Sequence, residues 1–133
     1  MAKATIVKEL IVKTPNRVGM LAEVAGTIAK SGANINALNA FGVESDAIFR
    51  IVTSDNAAAI KELKAKKIEV SEKDAVKVEL ENKSGMAAEI AEKLKAASID
   101  IKYIYGSACG CTCPCGLILN TSDNKKTVDI LNK

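Results

Sequence analysis

The feature that most restricts the fold is an internal repeat. Asn16, Gly19, Met20, Ala22, Glu23 and Ala25 recur as Asn82, Gly85, Met86, Ala88, Glu89 and Ala91, each 66 positions later, and Ile35 and Ile101 keep that spacing. The run Thr53-Ser54-Asp55-Asn56 returns as Thr121-Ser122-Asp123-Asn124 at a spacing of 68, so the second copy holds two extra residues between Ile101 and Thr121. A chain built this way folds one plan twice.

Within each copy the apolar period alternates between two and 3.6. Thr5 to Lys13 and Ala75 to Glu81 alternate Val, Ile and Leu with polar residues, as a strand with one buried face does. Each runs into a Gly-containing turn, after which Leu21, Val24, Ala25 and Ile28, and then Met86, Ile90, Ala91 and Leu94, mark amphipathic helices ending at Ser31-Gly32 and Ala97-Ser98. A hairpin follows, Ile35 to Phe41 with Ala47 to Thr53 and Ile101 to Gly106 with Gly116 to Thr121. The repeated Ser-Asp-Asn then caps a second helix carrying Ile60 and Leu63, or Val128 and Leu131. The first copy closes with a strand near Lys67 to Ser71. The pattern predicts an α+β fold: two ferredoxin-like βαββαβ modules, residues 1–72 and 73–133, side by side in one antiparallel sheet with helices on one face.

The second copy stops short. Residue 133 falls at the end of the second helix, so the last strand of this module is missing and Ala75 to Glu81 is expected to lie unpaired on one side. An open edge of that kind invites another chain, and a homo-oligomer built by strand addition is one expectation.

Composition removes several function classes. There is no His, which excludes Ser-His-Asp and Cys-His catalysis and every His-containing metal site. Only two Arg, Arg17 and Arg50, and a net charge of +3 spread over scattered Lys argue against nucleic acid as partner. An RNA-binding sheet of this topology needs aromatics on its central strands, and Phe49 alone is placed for that. No apolar run approaches the ~20 residues of a membrane span, and the N-terminus lacks the apolar core of a secretory signal. A cytoplasmic, membrane-free protein is expected.

The stretch Thr14-Pro-Asn-Arg-Val-Gly-Met-Leu21, followed by Ser31-Gly-Ala-Asn-Ile35, resembles the ACT domain family, small regulatory βαββαβ modules that bind amino acids and related metabolites. The resemblance spans both copies and is looser in the second, where Lys83-Ser84 stands for Arg-Val and Asp100 for Asn34. It implies ligand sites at seams between modules, one formed by Asn16, Arg17, Val18, Gly19 and Met20 with Asp100, the other by Asn82, Lys83, Ser84, Gly85 and Met86 with Asn34. The chemistry is sensible without the family name. A Gly lets backbone approach a ligand, a helix N-terminus favours a carboxylate, and an Asn oxygen or the Asp100 carboxylate accepts from an α-ammonium.

All four cysteines lie in Ala108-Cys109-Gly110-Cys111-Thr112-Cys113-Pro114-Cys115-Gly116, at the tip of the second hairpin, where the first copy has only Gly42-Val-Glu-Ser-Asp46. In a reducing compartment clustered thiols suit metal or redox chemistry better than structural disulfides. Zinc or an iron–sulfur cluster is the implied cofactor, although C-x-C-x-C-x-C is not the paired C-x-x-C spacing of well-attested sites. Reversible disulfides and inert thiols stay open. The Cys tip is expected beside Asn82 to Met86, where a metal or redox event would couple to ligand binding.

The chain therefore reads as a non-catalytic regulatory protein that binds a small ligand, an amino acid above all, and acts on a separate enzyme or regulator. The alternative is a metal-binding or thiol-redox protein that uses the repeats as scaffold.

Overall fold

The computed structural model describes residues 2–107 and 115–133, and of Cys115 only its place in the last strand. Ten elements follow in order: β1 (Lys3–Pro15), α1 (Met20–Lys30), β2 (Ile35–Val43), β3 (Asp46–Thr53), α2 (Asn56–Ala65), β4 (Glu69–Leu80), α3 (Met86–Ala96), β5 (Ile101–Ser107), β6 (Cys115–Thr121) and α4 (Asn124–Leu131). The hydrogen-bonded strand order is β2-β3-β1-β4-β6-β5. The strands belong to two compact units, residues 8–73 and residues 1–7 with 74–133.

In the unit of residues 8–73, the second half of β1 pairs antiparallel with β3, Leu10 opposite Ile51 and Val12 opposite Phe49, and β3 pairs in turn with β2. Alternation sends Leu10 and Val12, with Phe49 and Ile51, to one face. There they meet Met20, Val24 and Ile28 of α1 and Ala59 and Leu63 of α2, a buried aliphatic core around one aromatic ring. Both helices thus cover the same face. The other unit repeats the plan with Val76, Val78 and Leu80 of β4, Leu119 of β6, Met86, Ile90 and Leu94 of α3 and Leu131 of α4.

The two units also share small polar devices. The Asp55 side chain accepts from the Ala58 amide at 3.1 Å and that of Asp123 from the Lys126 amide at 3.0 Å, capping α2 and α4 as the repeated Ser-Asp-Asn predicts. The next residue ties its helix to the first strand of its unit: Asn56 Nδ2 donates to the carbonyl of Lys8 (3.0 Å) and Asn124 Nδ2 to that of Asp74 (3.2 Å).

The unpaired edge expected at Ala75 to Glu81 is not present. The C-terminal copy does end in α4, but β4 lies between β6 and β1, and the strand beside it is supplied by the start of the same chain. Ala4 is 2% exposed and packs in the core with Val76, Val78 and Leu131. The side chain of Asn132 clamps the same residue from both sides, accepting from the Ala4 amide at 2.8 Å and donating to the Ala4 carbonyl at 2.9 Å. Lys3 to Val7 are the fourth strand of this unit, in the place that Glu69 to Lys73 of β4 take in the other. Strand addition by another chain is not needed there.

Two consequences can be measured by urea unfolding. Asn132→Ala leaves the backbone of Ala4 without both side-chain partners and should cost about 1–3 kcal/mol, although it touches no core side chain. Ser98 holds φ +57° at the place where the first copy uses Gly32 at φ +85°, a left-handed conformation that carries a penalty for any residue with a Cβ. Ser98→Gly should therefore stabilise by about 0.5–1 kcal/mol, the reverse of the usual effect of introducing Gly.

Candidate functional site

Each unit turns from its first strand into its first helix through a glycine in the left-handed region, Gly19 at φ +92° and Gly85 at φ +89°. These are the helix N-caps, and neither helix has a side-chain cap. A Cβ on Gly19 would meet nothing within 4 Å, so this glycine is required by its backbone angle rather than by crowding. The result is an uncapped helix N-terminus facing solvent, which favours negative charge. Met20 and Met86 anchor the turns from below, both buried in their cores.

Beside the first turn lies an open cleft of about 260 Å³ lined by Lys13, Thr14, Pro15, Arg17, Met20, Glu23, Lys66, Lys67, Ile68 and Glu69. Four cations and two carboxylates face it. Arg17 is paired with Glu23 at 3.4 Å and Lys13 with Asp46 at 3.6 Å, both pairs exposed. Mixed charge of this kind suits a small zwitterion or acid held by its carboxylate. Beside the second turn a cleft of about 210 Å³ is lined by Leu80, Glu81, Lys83, Met86, Ala87, Gly106, Ser107 and Leu117. It is more apolar, and its charged pair, Lys83 with Glu81, closes at 3.4 Å.

Of the residues singled out from sequence, Arg17 and Met20 line the first cleft and Lys83 and Met86 the second. Val18, Gly19, Ser84 and Gly85 form the turns beside them. Asn16 is engaged structurally, with its amide donating to the Ser45 carbonyl at 2.8 Å and its side chain lying where a Cβ on Gly42 would sit, 2.6 Å from Asn16 Nδ2. Asn34 and Asp100 line neither cleft. Each is exposed and exchanges two hydrogen bonds with a serine after the hairpin, Asn34 with Ser54 and Asp100 with Ser122, at 2.8–3.1 Å. Within one unit these junctions lie across a helix of 11 residues from the turn, about 16 Å away along its axis.

Sequence reasoning misses Lys66, Lys67 and Glu69. The Lys66-Lys67 pair is visible in sequence, but only the return of the chain into β4 brings it to the β1–α1 turn. Gly106 and Ser107, the last described residues before the cysteine segment, share the second cleft with Lys83 and Met86. Cys109, Cys111 and Cys113 lie outside the described residues, as does the side chain of Cys115. Among the described residues no group of three or more His, Cys, Asp or Glu is placed to hold a metal, and no helix is long and apolar enough to cross a membrane. Phe49 is 3% exposed in a core and has no face to offer a base.

The family model described as an ACT domain pair matches residues 5–133, nearly the whole chain and both units. The chain belongs to this family. No curated protein matches the sequence. Among solved structures it is similar to protein BT0572 from Bacteroides thetaiotaomicron, with 28% identity, 97% of this chain and 88% of that one covered, and a TM-score of 0.89. The regulatory subunit of aspartate kinase from Thermus thermophilus shares the fold at 16% identity, 99% and 95% coverage and a TM-score of 0.71. So does a putative C-terminal regulatory domain of aspartate kinase from Porphyromonas gingivalis W83, at 15% identity, 99% and 95% coverage and a TM-score of 0.58.

Proposed function

We propose that this ACT domain pair is a non-catalytic regulatory protein that binds an amino acid at its strand-to-helix turns and acts on a separate enzyme or regulator. The observation that carries the reading is the first cleft, where an uncapped helix N-terminus, Arg17, Lys66 and Lys67 stand beside Glu23 and Glu69. The cations and helix amides take the α-carboxylate, and the carboxylates draw the α-ammonium. Asn34 and Asp100 line neither cleft and take no part in this reading. Membership of the ACT domain pair family and the absence of His favour binding over bond-breaking, and the solved regulatory subunit of aspartate kinase illustrates the kind of partner such a protein serves.

A second reading concerns Cys109, Cys111, Cys113 and Cys115, four thiols at alternate positions. They are proposed to hold a soft or borderline ion, zinc or an iron–sulfur cluster, or to cycle through disulfides, either as an input to the sensor or as the main function with the ACT units as scaffold.

Titration calorimetry with the twenty amino acids and reduced protein tests the first reading. One or a few should bind, and Arg17→Ala should weaken that binding by about tenfold or more, the loss of one charge-assisted contact. No heat from any of the twenty, or unchanged affinity in the variant, contradicts it. For the second reading, protein purified without oxygen or chelators should carry zinc or iron in stoichiometric amount. Metal-free protein whose four thiols titrate freely and do not oxidise reversibly would remove both cysteine roles.

A further inference from the structure

Ion pairs use up part of the charge that lines the first cleft. Arg17 closes on Glu23 at 3.4 Å, and Lys13 is drawn to Asp46 at 3.6 Å, outside the lining of the cleft itself. Lys66, Lys67 and Glu69 remain. Among the described residues none of these three side chains makes an ion pair or a hydrogen bond. The backbone nevertheless holds the two lysines in place. The amide of Lys66 reaches back to the carbonyls of Glu62 and Leu63 at 3.2 Å, and that of Lys67 to the carbonyl of Lys64 at 2.9 Å. Lys67 turns the chain at φ +59°, a conformation that costs any residue with a Cβ, and Ile68 next to it packs against the core.

The lining also holds a buried hydroxyl. Thr14 is 5% exposed, and its hydroxyl donates to the Pro15 carbonyl at 3.1 Å, which leaves the oxygen lone pairs to accept from a ligand. The repeat puts Leu80 at this place in the second cleft. Among the described residues that line that cleft, the charged ones are Glu81 and Lys83, and they pair with each other at 3.4 Å.

We infer that the first cleft selects a dicarboxylic amino acid, the class of aspartate and glutamate, over neutral and basic ones. The inference rests on the amino-acid reading above and goes on to name the side chain. Outside ion pairs the lining offers two cations and one carboxylate, the inverse of a ligand with two carboxylates and one ammonium. One ligand carboxylate lies beside Arg17 at the uncapped start of α1, ahead of the first helical bond from the Glu23 amide to the Gly19 carbonyl. Lys66 and Lys67 take the second carboxylate, and Glu69 and the Thr14 oxygen take the ammonium. A neutral amino acid brings one carboxylate to two anion sites, and a basic one adds a cation to a cleft that already holds an excess. The volume of about 260 Å³ lies below the roughly 300–1,000 Å³ of sites for drug-sized ligands and suits a molecule this small.

Calorimetric titration of the full chain with L-aspartate, L-asparagine and succinate, and with L-glutamate, L-glutamine and glutarate, tests this. The acid that binds should do so at least about tenfold more tightly than its own amide, the loss of one charge-assisted contact. It should also bind more tightly than the diacid that lacks the amino group. Lys66→Gln with Lys67→Gln, checked for folding by circular dichroism, should abolish the preference for acid over amide. Lys125→Gln with Lys126→Gln, which removes the same charge from α4, should preserve it. Equal affinity for acid and amide, tighter binding of the plain diacid, or a preference that survives the first double variant overturns the inference. If that variant does not fold, the comparison of acid, amide and diacid on the unmodified chain decides. Binding of another amino acid but neither acid overturns this inference alone, whereas binding of none of the twenty removes the amino-acid reading with it.

Discussion

Everything in this molecule depends on two strands that serve twice. Each unit needs four strands to cover two amphipathic helices, yet the described residues form six strands for two units. The difference is met by length. β1 has 13 residues and β4 has 12, about twice the usual strand, and each contributes one half to each unit. Ala4 is core to one unit and Leu10 and Val12 to the other, although one strand carries all three. β4 likewise carries Val70 for the first core and Val76, Val78 and Leu80 for the second. The C-terminal copy is therefore complete without a strand of its own at the end, and it is the beginning of the chain that completes it.

Much of this plan is legible in sequence. The repeat marks the elements, the Gly-Met turns mark the helix starts, and Ser-Asp-Asn marks the caps, because each rests on local chemistry that survives in any context. The role of Lys3 to Val7 is not legible. Its alternation runs without a break into that of Lys8 to Lys13, and nothing local tells a strand that it will change partners midway. For the same reason Lys67 to Ser71 and Ala75 to Glu81 read as two separate strands, when Glu72-Lys73-Asp74 between them holds no glycine or proline and one strand, β4, spans Glu69 to Leu80. The site is half legible. Arg17, Met20, Lys83 and Met86 are visible in the repeated turns, whereas Lys66, Lys67 and Glu69 enter only through tertiary return of the chain. Asn16 reads as a ligand group and is engaged with the β2–β3 hairpin.

The two copies have kept one backbone and diverged in surface chemistry. Arg17 and Val18 correspond to Lys83 and Ser84 across the repeat, and the cleft beside the first turn is strongly charged whereas the second is mainly apolar. Duplication explains the pattern physically. The turn glycines, capping aspartates and buried methionines are required by the fold and stay fixed, whereas exposed positions at the turns and hairpin tips are free to change.

The central claim is that the start of the chain is an integral strand of the C-terminal unit, and native-state hydrogen exchange measures it directly. If β1 completes that unit, the amide of Ala4 and its neighbours from Lys3 to Val7 will exchange as slowly as those of Val76 to Leu80, by the same cooperative opening. Fast exchange at residues 3–7 with residues 76–80 still protected would show a frayed terminus beside an independent module, and would contradict the account.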